Sequence, residues 1–221
     1  MNPDSTTPPP GLAARRAALS RLALPAALCT AGGLLAGAPA WAASPLRLTP
    51  AQTEGPFYPV TLPDDTDFDL LRQGDTVYPQ GQPAWLEGEV LDPDGRPVRG
   101  AAVEIWQCDA AGHYRHPGDG NRADPAFQSF GRVRVDAQGR YRFRTIRPVA
   151  YVGRTPHIHL KVRLDRRTLL TTQVYVEGDP GNARDGLWRS LRDPLDRAAL
   201  TVPFEPAADG LRARFAVVVA P

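Results

Sequence analysis

From Ala84 onward the chain runs in short stretches of alternating apolar and polar residues, separated by turn signals. Period-two alternation is the signature of a strand with one buried face. "AWLEGEVLD" (84–92), the Asp-Gly turn "PDGRP" and "GAAVEIWQCD" (100–109) predict a hairpin or a close relative of one. "GRVRVD" (131–136), "AQG" and "RYRFRTI" (140–146) predict a second hairpin, and "HIHLKVRLD" with "TLLTTQVYVEG" a third, joined by a short arginine-rich turn. "RARFAVVVA" is a last strand, and "ARDGLWRSL" is the one short helix. Many short strands with little helix predict a mainly β protein, an antiparallel β-sandwich with long loops. No repeat, heptad, P-loop or dinucleotide fingerprint interrupts this pattern.

The first 83 residues read differently. Arg15 and Arg16 precede a modest apolar run that ends in Ala40-Trp41-Ala42, a small-x-small cleavage pattern. Residues 1–42 are therefore expected to be an export signal of twin-arginine type, with an ordinary secretory signal as the alternative. Leu28 before Cys29 argues against a lipoprotein anchor, which needs a small residue there. The expected destination is periplasmic or extracellular. Residues 43–83, with the Pro-rich "TPAQTEGPFYPVTLPDD", are expected to form an extended surface arm, and residues 84–221 the sandwich.

Cleavage after Ala42 leaves 179 residues, enough for one well-buried core. The 26 basic and 24 acidic side chains lose three arginines and one aspartate with the signal, leaving 23 of each. That balance argues against a nucleic-acid or anionic-membrane partner. No second apolar run reaches the roughly 20 residues of a membrane span. Cys108 is then the one remaining thiol, so no internal disulfide is expected.

Two of the four histidines, His157 and His159, sit one residue apart in the strand "HIHLKVRL". Alternation places them on one face with Lys161 and Arg163, and Ile158, Leu160, Val162 and Leu164 on the other. The apolar four must face the core, so the imidazoles face away from it, toward a polar side or cleft. Same-face residues two apart have Cβ atoms roughly 6.5–7 Å apart, close enough for both rings to lean onto one metal ion. Structural zinc wants four ligands, usually including cysteine, and Cys108 lies far away in sequence. The remaining donors are carboxylates or tyrosines. A phenol with a free pKa near 10 needs a hard, highly charged ion such as Fe(III) to remove its proton. Composition does not say which of the six tyrosines bind.

Three segments resolve the choice by resemblance. "TEGPFYP" (53–59), "LEGEVLDPDGRPVRGAAVEIWQCDAAGHY" (86–114) and "FRTIRPVAYVGRTPHIHLKV" (143–162), followed by "TTQVYVEGDP", resemble the intradiol ring-cleavage dioxygenases across most of the mature chain. The compact "YVGRTPHIH" is most similar to the exported, single-domain branch, which fits the signal read independently. The resemblance implies one non-haem Fe(III) per chain, bound by Tyr114, Tyr151, His157 and His159. Tyr114 and His157 would be equatorial, Tyr151 and His159 axial, and Tyr151 would leave when substrate arrives. Arg154 would stabilise negative charge developing on the ring, and Gln173 would hydrogen-bond near the substrate. Only five residues separate Tyr151 from His157, fewer than in the soluble branch. Tyr58 is expected to pin the arm, and His113 and His116 to lie at the rim or in solvent.

The implied reaction takes a small aromatic diol and O2 and yields a cis,cis-muconate-type diacid. Fe(III) with one phenolate and a catecholate dianion is neutral, which suits a partly buried site where net charge is costly. Two other readings compete. "GEVLDPDGRPVRGAAVEIW" also resembles transthyretin-like binding modules, which need no tyrosines and His-x-His in register. A copper oxidase could use the same histidines.

Overall fold

A computed structural model describes residues 44–221. The export segment expected at residues 1–42 lies outside the described residues. Twelve strands are formed among the described residues: β1 (Arg72–Gln73), β2 (Thr76–Val77), β3 (Pro83–Leu91), β4 (Ala102–Trp106), β5 (Phe130–Arg134), β6 (Arg140–Ile146), β7 (His157–Leu164), β8 (Arg167–Val176), β9 (Thr201–Val202), β10 (Glu205–Ala207), β11 (Gly210–Arg214) and β12 (Val217–Val218). Two short helices, α1 (Gly186–Ser190) and α2 (Pro194–Leu200), lie between β8 and β9.

The long strands make two sheets. In the first, β3 pairs with β6 on one side and with β11, then β12, on the other, and β10 flanks β11. The second runs β5-β4-β7-β8-β9. Their inner faces meet over Leu86, Val90, Phe143 and Phe215 from the first sheet and Val103, Ile105, Ile158, Leu160, Val162 and Val174 from the second. Each such side chain contributes about 1.5–3 kcal/mol on burial. Gly88 sits where a Cβ would stand 1.9 Å from the Phe215 carbonyl oxygen, so β3 must be bare there for the chain to pass from β11 to β12. The hydroxyl of Tyr141 donates to that same carbonyl at 2.6 Å.

The mainly β sandwich stands, with three differences from the expectation. The pairings β3/β11, β3/β12 and β8/β9 are parallel. Of the three expected hairpins, only β7–β8 is one. β3 and β4 lie in different sheets, as do β5 and β6. The "PDGRP" turn does close locally, with Leu91 bridging Pro97, but the chain then crosses to the other layer. Alternation specifies which face of a strand is buried; it does not specify which strand lies beside it, and a turn of this size fits a cross-layer connection as well as a ladder. Finally, the segment expected as a surface arm carries β1 and β2, and it sends Leu70, Leu71 and Tyr78 into the main core.

Helix α1 falls inside the expected "ARDGLWRSL", capped by Asp185, whose carboxylate accepts from the backbone N–H groups of Leu187 and Trp188. Helix α2 was not expected. It begins at Pro194 after the cap Asp193, a start signal of two residues in a stretch with no long apolar stripe. Among the described residues no helix is long and apolar enough to cross a membrane.

Candidate metal centre

The outer face of the second sheet carries the site. Cross-strand register sets Trp106 of β4, His159 of β7 and Gln173 of β8 side by side, with His157 opposite Tyr175. Ile158, Leu160 and Val162 point the other way, into the core, as alternation requires. The imidazoles do face away from that core, but not into a polar cleft: His157 and His159 are each 1% exposed. A second, smaller aromatic cluster of Trp106, Cys108, Tyr114 and Phe130 covers them, with Phe57, Tyr58, Val149 and Tyr151 packed against it. Sequence alternation could not foresee this cover, because it comes from residues 44–63 folding back across the sheet and from the loops after β4 and β6.

That fold-back is held by specific contacts. The Tyr58 hydroxyl donates to Glu104 Oε2 at 2.9 Å, and its ring meets Trp106 edge to face at 5.0 Å. Lys161 Nζ lies 3.6 Å from the centre of the Tyr58 ring and pairs with Glu54. Glu104 is fully buried and also pairs with Arg132 at 2.6 Å. The pinned segment brings Gly55, at φ +72°, so close to His159 that a Cβ would stand 3.3 Å from its Cε1.

The loop after β4 presents Tyr114. The carboxylate of Asp109 accepts from the N–H groups of Ala111, His113 and Asp124, and Asp119 accepts from the N–H of Tyr114 at 2.8 Å. Phe57 stacks on the Tyr114 ring with centroids 4.5 Å apart. The loop after β6 presents Tyr151, whose ring meets Tyr114 at 5.2 Å and His157 at 5.4 Å between centroids. Tyr114 lies 6.3 Å from His159 by the same measure.

Polar atoms at this junction lack protein partners where a cation would give them one. The Nε2 atoms of His157 and His159 approach to 3.2 Å. His157 Nδ1–H donates to the Thr155 carbonyl at 2.7 Å, which leaves the Nε2 lone pair free to bind a metal. The hydroxyl of Tyr114 is buried and unpartnered. Burial, then the charge of Arg154, pushes the His157 pKa down to about 3. Burial, then His157 and Arg154, pushes that of His159 well down too. Both rings are therefore neutral donors at neutral pH. Burial raises both phenols, Tyr114 strongly. A buried phenol with no acceptor suits a hard cation that takes its proton's place. Among the described residues no three His, Cys, Asp or Glu side chains converge to hold an ion. The tyrosines beside the histidine pair are the further donors at hand for an ion there, and such a donor set fits Fe(III) better than zinc.

Arg154 sits between β7 and the cleft. Its Nε–H donates to Asp185 at 2.7 Å, Nη2 to Gln173 Oε1 at 2.6 Å, and Nη1 faces the Tyr151 hydroxyl at 3.4 Å. The Gln173 amide is held in turn by the Thr53 carbonyl, which accepts from its Nε2 at 3.0 Å. A cleft of about 740 Å³ opens over Tyr114, Tyr151 and Arg154, walled by Phe57, Val152 and Leu187. The six residues read from the sequence thus share one neighbourhood. His113 and His116, both half-buried, lie at its rim: His113 lines the same cleft, 3.5 Å from Asp119, and His116 meets Phe57 edge to face and accepts from Gly118 N–H as the cap of a short turn. Sequence reading missed Trp106, stacked on His159 at 4.8 Å, and also Thr155 and Asp185. Asp185 had a signal as a helix cap, but nothing in the sequence tied it to Arg154.

Comparison with known proteins gives the family. Residues 53–221 match the family Dioxygenase_C, described as dioxygenase. Hydroxyquinol 1,2-dioxygenase of Corynebacterium glutamicum is 34% identical over 204 residues, covering 78% of this chain and 64% of that protein. The protocatechuate 3,4-dioxygenase beta chain of Burkholderia cepacia is 43% identical over 138 residues, covering 58% of this chain and 57% of that one. The chain thus spans less than two thirds of the length of these curated relatives. Among solved structures, the dioxygenase domain of a dioxygenase–carbohydrate-binding fusion from Streptomyces sp. SirexAA-E is 32% identical. It superposes with a TM-score of 0.62 over 78% of this chain and 97% of that domain. With a family match over residues 53–221, the sandwich and most of the arm, and relatives of this kind, the chain belongs to the intradiol ring-cleavage dioxygenases.

Proposed function

We propose that this protein opens catechol-type aromatic rings with O2 between the two hydroxyl-bearing carbons, giving cis,cis-muconate-type diacids. One non-haem ferric ion would be held by Tyr114, Tyr151, His157 and His159. The observation that carries this reading is the buried, unpartnered Tyr114 hydroxyl beside two imidazole Nε2 atoms 3.2 Å apart. The names of the relatives, hydroxyquinol and protocatechuate dioxygenases, support the substrate class. When bound, the ion supplies Lewis acidity that makes phenol and catechol oxygens ionise near neutral pH and prepares the ring for O2.

The chain's own residues do the rest. Tyr114, His157 and His159 are nearly inaccessible to water, whereas Tyr151 is half-buried and lines the cleft. In this reading the Tyr151 oxygen is the protein atom that takes a proton from an arriving catechol hydroxyl. Arg154 Nη1 is the guanidinium nitrogen left to face that oxygen and the ring, where it stabilises negative charge. Phe57, stacked on Tyr114, excludes water from the ligand side of the cleft. Residues 1–42 would export the protein. A non-catalytic transthyretin-like module gives no account of a buried orphan phenol beside paired imidazoles.

The test is oxygen uptake with catechol by the protein purified from iron-replete cells. Expected is a reddish protein that consumes one O2 per catechol and yields a muconate-type acid. A colourless, iron-free protein without uptake would reject the proposal.

A further inference from the structure

Asp185 stands at the head of α1 and is 1% exposed. Its two carboxylate oxygens have separate partners. Oδ1 accepts from the N–H groups of Leu187 and Trp188, both at 2.9 Å, and so caps the helix. Oδ2 accepts from Arg154 Nε–H at 2.7 Å and from the Thr155 N–H at 3.0 Å. A cap needs only the first oxygen. The second is spent on the guanidinium that faces the cleft and on the residue whose carbonyl fixes the His157 tautomer.

We infer that Asp185 is a positioning residue for Arg154. With Nε fixed by Asp185 and Nη2 by Gln173, the planar fork has one orientation left, and in it Nη1 faces the Tyr151 hydroxyl and the cleft. A guanidinium is planar, so two fixed nitrogens determine the third. Without Asp185, Arg154 keeps its charge but loses its aim. An electrostatic contribution to ring opening depends on donors held in place before the reaction. The ion pair also brings Arg154 into the site without net charge, which lowers the cost of burying it. α1 carries Leu187, a wall of the cleft, so one carboxylate sets both that wall and the arginine. The inference rests on the reading of Arg154 as the ring-facing residue of a catechol-cleaving site.

Asp185→Asn separates the two jobs. Its oxygen can still cap α1, but its amide N–H groups meet the Arg154 and Thr155 donors head on. The expected result is a folded protein whose kcat for catechol falls about tenfold or more, with KM changing less than about threefold. In an Arg154→Ala background the same substitution should cost no more than about a further twofold, because residues acting through one another are not additive. A readout independent of turnover is the Arg154 Nε–H resonance of the full chain supplied with gallium(III) in place of iron, assigned by its loss in Arg154→Lys. It should exchange slowly with water in the wild type and rapidly in Asp185→Asn. If Asp185→Asn misfolds, Asp185→Ser, which keeps a capping oxygen, takes its place with the same expectations. A kcat within about twofold of wild type, a defect that multiplies in full on Arg154→Ala, or an unchanged Nε–H each overturns the inference. Absence of wild-type turnover would instead reject the proposed function, while the resonance would still report the contact.

Discussion

At the scale of single residues, the centre is defined by groups whose hydrogen-bonding capacity the protein leaves unused. Tyr114 is the clearest: 2% exposed, its hydroxyl without a partner, and its phenol pushed far up by burial. Replacing it with phenylalanine removes an oxygen that has no protein partner to lose. Tyr114→Phe should therefore fold with near-wild-type stability, yet lose most of the visible colour and at least about a hundredfold in turnover. Retained colour, read in the absorption spectrum, would refute its assignment as a ligand. His159→Ala should lose iron, measured by metal analysis, while keeping the sandwich, because its inward neighbours Ile158 and Leu160 are untouched.

Asp185 gives the pH dependence. Although burial opposes ionisation, the Arg154 guanidinium and the backbone N–H groups hold its carboxyl below the usual value of 3.8. The folded state binds its proton less readily than the unfolded chain. Its contribution is therefore complete above pH 3.8 and is withdrawn as pH falls below that value toward the folded pKa. Denaturation midpoints followed through this acid range should fall more steeply for wild type than for Asp185→Asn.

At the scale of elements, the site is built by strands β4, β7 and β8, the loops after β4 and β6, and one folded-back segment. β7 and β8 form a true hairpin, with Asp165 in the left-handed region at φ +53° at its tip, a conformation aspartate tolerates. The His-x-His alternation on β7 was legible because strand periodicity is a local property of the backbone. What covers that strand was not, since the lid is assembled from separate segments: Gly55 reaches His159 across 104 positions, Tyr58 of the same segment packs on Glu104 and Trp106, and the loops after β4 and β6 add Tyr114 and Tyr151. Gly55 tests this element. Gly55→Val would force a β-branched side chain into φ +72° and against the His159 ring, at a cost of about 1–3 kcal/mol. The expected outcome is a lower denaturation midpoint together with weaker iron retention. Unchanged retention would show that the segment does not bear on the imidazole.

At the scale of the whole molecule, one core between two sheets supports a chemically separate cluster on the outside of one of them. The same strand, β7, serves both. Leu160 is fully buried in the core, while its neighbour His159 lies on the other face. Leu160→Ala should cost about 2–5 kcal/mol, read from urea denaturation, and the iron site should persist in whatever fraction remains folded. A selective loss of iron at full stability would contradict this division of the strand. The export reading belongs to this scale as well: secreted protein should begin at Ala43 by mass spectrometry.

The sequence by itself determined the class of fold, the two-faced character of β7, the helix at Asp185 and, by motif, which six residues to watch. These are local quantities: periodicity, turn chemistry and short spacings depend on a few adjacent residues. Tertiary structure alone decided that β3 and β4, and β5 and β6, part company into different sheets. It also buried the histidines under an aromatic lid and joined Asp185 to Arg154 across 31 positions. Those outcomes depend on which distant surfaces exclude water from one another and on which buried donor finds an acceptor, and neither is written in the neighbourhood of any one residue.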